Sequence, residues 1–461
     1  RGVSMINRLV GYGVIWGLSL ALLSPETYGA KSPNVLMIIV DDLRPQLGCY
    51  GHNETRSPRI DQLAADGTLF ETAYVQVPVC GASRASMMTG LYPTPERFVT
   101  YHSSVDEDAP GIVDIPGHLK SHGYSTVSNG KIYHQKNDCL ASWDEISRPP
   151  DFRVYLNPEN KKVKGKKQPA YEIADVDDDA YPSGKMANKI KDDLKAAKKS
   201  GKPFFITAGF TKPHLPFNAP KKYWDIYNRD SIALADNPFA PKGAPRQAMH
   251  EWNELRNGYG GIPQDGPVSD ELAKTLIHGY YACVSYTDKL IGDILDELER
   301  LQLDKNTVVI MIGDHGWQLG EHTLWCKHAL FETSLHTPMI IRAPGFKRGQ
   351  RTKALVEFVD LYPTICELAG LQAPDHLQGK SLVPLMKNPS AKHKPAIFAR
   401  YHGGETVRTA RFQYSEWNGK NAMFYDHKVD PDENINQIEN PNYAKAVQRL
   451  KGLLGEHREQ L

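Results

Sequence analysis

Residues 34–42 read Asn-Val-Leu-Met-Ile-Ile-Val-Asp-Asp. The unbroken apolar run has strand length and no alternation, so it predicts a strand buried on both faces of a parallel sheet. Residues 204–208 and 308–312 repeat the pattern, and 339–341 is a shorter example. Helical patterns lie between them at 59–65, 115–121, 186–198 and 271–301. The last places Leu272, Leu276, Tyr280, Val284, Leu290, Ile294 and Leu298 at helical spacing. Strands alternating with helices predict an α/β fold: a large, mostly parallel central sheet flanked by helices.

Residues 151–183 and 228–268 are rich in Pro, Gly, Asn and charge without a clear period, and read as long surface loops of the kind that carry substrate contacts. From residue 395 the pattern changes. Segments 396–399, 406–412 and 422–425 read as short strands and 442–454 as a helix. This predicts a main α/β domain over 31–394 and a smaller C-terminal α+β subdomain over 395–461 carrying an antiparallel sheet.

The chain has 461 residues, 40% hydrophobic and 24% charged, with a formal net charge of +1. That is globular composition without the basic footprint of a nucleic-acid binder, so an anionic partner would need a local basic pocket. Residues 5–30 read as an export signal: Met5 starts it, Arg8 supplies charge, 9–23 is apolar, and Gly29 and Ala30 are small. The apolar run is shorter than the ~18–20 residues that span a bilayer. The mature chain is therefore expected to be exported, periplasmic or secreted, without a membrane span. Residues 1–4 precede Met5 and, with the signal, are set apart from the fold. Six cysteines (Cys49, Cys80, Cys139, Cys283, Cys326, Cys366) are too few and scattered for a disulfide scaffold.

Asp41-Asp42 follow the first strand directly, where ligands gather in open α/β sheets. The pair reads either as metal ligands or as caps of a following turn. Asp314-His315 repeats the arrangement after the 308–312 strand. Carboxylate oxygens favour Ca²⁺ or Mg²⁺, and one imidazole leaves Mn²⁺ open. No Cys-x-x-Cys spacing occurs here, and a closed zinc site of the usual type is not expected.

Residues 80–90 read Cys-Gly-Ala-Ser-Arg-Ala-Ser-Met-Met-Thr-Gly. A helix beginning here would present free N–H groups and a positive dipole end to an anion, with Arg84 adding a fixed charge. From the residues alone, Cys80 is either a reactive thiolate or a buried structural cysteine.

This stretch resembles the signature of the type I sulfatases of the alkaline phosphatase superfamily, in which the cysteine is oxidised to formylglycine. The resemblance is nearest to the iduronate-2-sulfatase-like branch. It extends through 34–45, Ser57-Pro-Arg-Ile-Asp-Gln-Leu-Ala, Gly130-Lys-Ile-Tyr-His, Lys212-Pro-His-Leu-Pro-Phe, Asp314-His-Gly-Trp-Gln-Leu-Gly-Glu-His and Trp325-Cys-Lys. Ala82 stands where the commoner signature has Pro, a recognised variant that bears on which maturation enzyme acts. His315 stands where many members have Asn.

The resemblance implies one divalent cation, Ca²⁺ first, held by Asp41, Asp42, Asp314 and His315 with residue 80 as a further ligand. It implies that the hydrated aldehyde at Cys80 attacks sulfur, giving a covalent sulfo-enzyme that then expels sulfate, with Arg84 beside it. It assigns Lys131 to the sulfate, His134 to the proton that triggers sulfate release, and His214 with Lys327 to the ester oxygen and the leaving alcohol. The implied partners are a sulfated carbohydrate, algal or glycosaminoglycan, and a formylglycine-generating maturation enzyme. Tyr101-His102 and Tyr401-His402 are candidate sugar contacts. The competing readings are a phosphate or phosphonate ester hydrolase of the same superfamily and a non-catalytic sugar-binding relative.

Overall fold

The computed structural model describes residues 1–2, 32–149 and 151–461. The export signal at 5–30 lies outside the described residues. Among the described residues no helix is long and apolar enough to cross a membrane.

The strand Asn34–Val40, buried along its whole length, sits near the middle of an eight-stranded sheet. Across the sheet the strands run Gln350–Thr352, Thr68–Phe70, Met339–Arg342, Thr307–Gly313, Asn34–Val40, Phe204–Phe210, Ser125–Gly130 and Glu145–Ser147. The five from Thr307–Gly313 onward pair in parallel. Met339–Arg342 is antiparallel to both neighbours, so the sheet is mixed and mostly parallel. Helices Pro58–Asp66 and Pro182–Ser200 pack on it, and Asp270–Arg300 packs against both of them. The longest is capped by Ser269, whose side chain accepts from the Leu272 N–H.

Register explains why the chemistry-bearing residues meet. Val40 lies opposite Gly313 on one side and Phe210 on the other, and Gly130 opposite Gly209. The next residues therefore emerge side by side at the carboxyl edge: Asp314, Asp41, Thr211 and Lys131. Asp41 N–H donates to the Phe210 carbonyl at 3.0 Å, Asp314 N–H to that of Val40 at 3.1 Å, and Lys131 N–H to that of Gly209 at 2.9 Å. Gly130 makes this turn with φ +75°, and a Cβ there would collide with the Gly209 carbonyl.

Several sequence expectations need correction. Ser125–Gly130 reads Ser-Thr-Val-Ser-Asn-Gly, too polar to stand out, yet it is a core strand, in which Thr126 Oγ1 donates to the Ser142 carbonyl and Asn129 Nδ2 to Asp193 Oδ2. The 406–412 segment is two strands, Gly404–Thr409 and Phe412–Trp417, turning at Ala410-Arg411. The 151–183 segment is not all loop: Pro158–Lys162 is helical, and Tyr171–Ala174 pairs with Phe217–Pro220.

At the C-terminal end Ala396–Tyr401, Gly404–Thr409, Phe412–Trp417 and Asn421–Asp426 form a four-stranded antiparallel sheet. Helix Ala444–Glu459 packs on it through Val447, Leu450 and Leu454 over Val407, Tyr414 and Phe424.

Candidate active site

The helix Cys80–Thr89 is buried at every residue and ends at Gly90 in the left-handed region. Its entry places Cys80 at the sheet's carboxyl edge, with Sγ 3.2 Å from His315 Nε2. Burial, reinforced by the Asp41 charge, pushes the Cys80 thiol well above its ordinary value, against Lys131 and Lys327. An unmodified thiolate is therefore disfavoured, which counts against the reactive-thiolate reading.

Arg84, one turn along, is fully buried, which is tolerable only because its donors find partners. Its Nε bonds Asp314 Oδ2 at 2.9 Å, Nη2 lies 3.3 Å from Asp41 Oδ1, and Nη1 donates to the Lys131 and Ile132 carbonyls. Arg84 thus ties two strand-end carboxylates to the loop that carries Lys131.

Around Cys80 the ligand atoms of Asp41, Asp314 and His315 lie with Sγ within 4.8 Å of one another. Asp42, at φ +61°, adds Oδ1 3.5 Å from His315 Nε2, while its N–H donates to Asp314 Oδ1 at 2.9 Å. Burial pushes the Asp42 carboxyl up to about 8, the Asp41 charge adding to it against the pull of Lys327. Its buried Oδ2 has no hydrogen-bond donor. Asp41 is held well below the carboxylate range because Lys131, His214 and Arg84 outweigh its burial. Three carboxylates, one imidazole and an orphaned buried oxygen fit an oxygen-preferring divalent cation.

Two lysines flank the acids. Lys131 Nζ is 2.6 Å from Asp41 Oδ2, and Lys327 Nζ is 3.1 Å from Asp42 Oδ1. Lys327 sits between Cys326 and His328, both at positive φ. Such strain at non-glycine residues collects where function holds the backbone. His214, on the loop after strand Phe204–Phe210, places Nε2 3.9 Å from Asp42 Oδ2, and its Nδ1 faces the Leu215 carbonyl at 2.6 Å. Burial and Lys327 push its imidazole down, while Asp41 and Glu254 pull it up. Asp41, Lys131, His134 and His214 line one cavity of about 490 Å³. His134 is pushed down to about 3 by burial and the Lys131 charge, and its buried Nδ1 has no partner.

The sequence reading missed Glu254. It comes from the short helix Asn253–Arg256 in the 228–268 segment, with Oε2 2.7 Å from Lys327 Nζ and Oε1 2.9 Å from His214 Nε2. Nothing local marks it; only the expectation that this segment carries site contacts pointed there.

The two Tyr-His pairs separate. Tyr101 is half exposed and sets its ring edge-on to His134 at 6.0 Å, with His102 tilted against it at 3.9 Å. Tyr401 lies against His328 at 5.8 Å, and His328 is 4.0 Å from Glu254. With the exposed His402, Tyr401 borders a different cavity, of about 430 Å³, beside Arg400. None of the six cysteines forms a disulfide, and all but Cys49 are buried.

A family model described as sulfatase matches residues 33–371, and one for the C-terminal part of N-sulphoglucosamine sulphohydrolase matches 320–460. Human iduronate 2-sulfatase is 34% identical over 414 residues, covering 79% of this chain and 75% of the relative. A protein solved in complex with its substrate D-glucosamine-2-N,6-O-disulfate superposes with a TM-score of 0.75 at 23% identity, covering 93% of this chain and 98% of the other. A phosphonate monoester hydrolase of Agrobacterium radiobacter superposes at 0.79 and 22%, covering 93% and 96%. These two likenesses speak for the fold. The matched model spans most of the chain, including Cys80 and the acids, lysines and histidines that meet around it, and the chain belongs to the sulfatase family, enzymes that hydrolyse sulfuric esters.

Proposed function

We propose that the chain removes sulfate from a carbohydrate sulfate ester, with Cys80 converted to formylglycine as the nucleophile. The observation that most supports this is the meeting of Asp41, Asp42, Asp314 and His315 with Cys80 at one helix N-terminus, beside a cavity lined by Lys131, His134 and His214. Cys80 carried as its aldehyde hydrate offers an attacking oxygen at a place where burial disfavours the thiolate. Asp41, Asp42, Asp314 and His315, with residue 80, would hold a divalent cation (calcium first, magnesium or manganese as alternates) that lowers the pKa of a bound hydroxyl and draws charge from sulfate oxygens.

The chain's own side chains take the remaining tasks. Lys131 and Lys327 supply positive charge to the sulfate oxygens, and Arg84 fixes the carboxylates behind them. His214 protonates the leaving sugar oxygen, a task that matters because a sugar alkoxide leaves poorly. His134 takes the proton as sulfate departs. The named activity of the human relative supports a uronate-bearing sugar among the substrates. The signal-like segment at 5–30 supports export, with maturation of Cys80 on the way.

The second reading, phosphate or phosphonate ester hydrolysis, rests on fold likeness to the Agrobacterium enzyme. A panel of sulfated disaccharides and an aryl phosphonate monoester, read as released sulfate and phenol, separates the two. Intact mass should lie about 18 Da below the unmodified chain. Preferential release of sulfate by this lighter species is expected. Faster phosphonate cleavage, or sulfate release by protein of unmodified mass, would overturn the proposal.

A further inference from the structure

The positive groups around the site are mostly paired: Arg84 with Asp41 and Asp314, Lys131 with Asp41, Lys327 with Asp42 and Glu254. Arg148 is different. It lines the same cavity as Asp41, Lys131, His134 and His214 and is half-buried, yet no carboxylate lies within ion-pair distance among the described residues. Its guanidinium spends two nitrogens on neutral acceptors. Nη1 donates to the Tyr133 carbonyl at 2.8 Å and reaches that of Gln135 at 3.4 Å, while Nη2 donates to that of His134 at 2.9 Å.

Carbonyls satisfy hydrogens and leave the charge uncompensated. Burial, with the Arg84 charge, pushes this guanidinium down to about 10, against Asp41. A half-buried cation without a counter-charge is partly desolvated at a cost, which an anion bound in the cavity would offset. Lys136 and Asp151 also border the cavity and are of opposite sign. Lys212 is buried on the carbonyls of His214 and Pro216 in the same manner, but it does not line the cavity. A guanidinium has five donors in a planar fork, so those not used on carbonyls remain for a planar or tetrahedral oxyanion.

We propose that Arg148 receives a second oxyanion of the substrate, on the sugar bearing the scissile sulfate or on its neighbour, and so selects sugars that carry one over those that do not. This rests on the carbohydrate-sulfate reading above. The shared chemistry is an oxyanion, and its two sources are a uronate carboxylate and a second sulfate.

Binding, which needs no turnover, tests it. Cys80→Ala protein, alone and combined with Arg148→Gln, is titrated by calorimetry with two matched ligand pairs. One is a sulfated uronate-containing disaccharide and its carboxyl-reduced counterpart; the other is a disulfated hexosamine and its monosulfated counterpart. With Arg148 present, at least one oxyanion-bearing ligand should bind about tenfold or more tighter than its counterpart, the size expected of charged hydrogen bonds. The pair showing the ratio identifies the source. Arg148→Gln should bring that ratio near one, whereas loss of loop support alone would weaken both members equally and leave it unchanged. An unchanged ratio, or ratios near one with Arg148 intact, overturns the assignment. Absence of sulfate release by the matured enzyme would instead count against the proposed activity and leave this ratio readable.

Discussion

Arg84 shows how one side chain organises a site: its fork holds Asp314 and Asp41 while it also grips the carbonyls that precede His134. Its place beside Cys80 was legible one turn into the helix, as a fixed charge at a helix start; that it spends this charge on the strand-end carboxylates Asp41 and Asp314 was not. Glu254 was not legible. Its partners Lys327 and His214 lie far along the chain, and an acid in an aperiodic segment looks like any solvated carboxylate. At this scale His214 gives the sharpest expectation. His214→Gln should slow sulfate release from a sugar ester by about 10²–10⁴-fold and from an activated aryl sulfate far less, since an acid matters most for a poor leaving group. Steady-state rates on the two substrates check it, and equal losses would remove His214 from the acid role.

Among elements, strand register does most to build the site. The buried runs at Asn34–Val40, Phe204–Phe210 and Thr307–Gly313 were readable because continuous apolar stretches of that length have few other fates. Ser125–Gly130 escaped notice because Thr126, Ser128 and Asn129 are polar, and their burial is supported by tertiary partners such as Asp193 and the Ser142 carbonyl. With it went any sequence-level view of how Lys131 comes to stand beside Asp41. The paired acids at neighbouring strand ends carry a prediction. A divalent cation that binds the folded chain there should stabilise it by about 2.7 kcal/mol at a hundredfold excess over Kd, and so raise Tm as its concentration rises. Thermal melts with calcium, magnesium and manganese should show the rise in the parent chain and a smaller one in Asp314→Asn. No rise with any of the three would contradict the cation reading.

For the whole molecule, the C-terminal sheet is tied to the large sheet's loops through Glu332, by one ion pair and one hydrogen bond. Arg408 Nε on strand Gly404–Thr409 lies 3.1 Å from Glu332 Oε2, and Tyr74 OH donates to Glu332 Oε1 at 2.6 Å. Burial alone would raise the Glu332 carboxyl, but the charges of Arg408, His427 and His336 with the Tyr74 hydrogen bond together outweigh it and hold the group at about 2, against an ordinary 4.5. A carboxyl depressed on folding contributes stability above its unfolded value and loses it as pH falls toward the folded one. Stability from this contact should therefore be complete above about pH 5 and fade between roughly pH 4.5 and 2. Glu332→Gln should lower Tm at pH 7 by at least about 2–4 °C and flatten the acid limb of a Tm-against-pH curve. An unchanged acid limb would show that the pair does not hold the two parts together.

The central claim is that sulfate is released at residue 80. The most direct measurement is free sulfate liberated from a panel of sulfated disaccharides by matured parent enzyme and by Cys80→Ala, with far-ultraviolet circular dichroism confirming that both are folded. The account predicts turnover in the parent and a loss of at least about a thousandfold in the variant, as expected when a covalent nucleophile is removed. Sulfate release by folded Cys80→Ala at the parent's rate would contradict it.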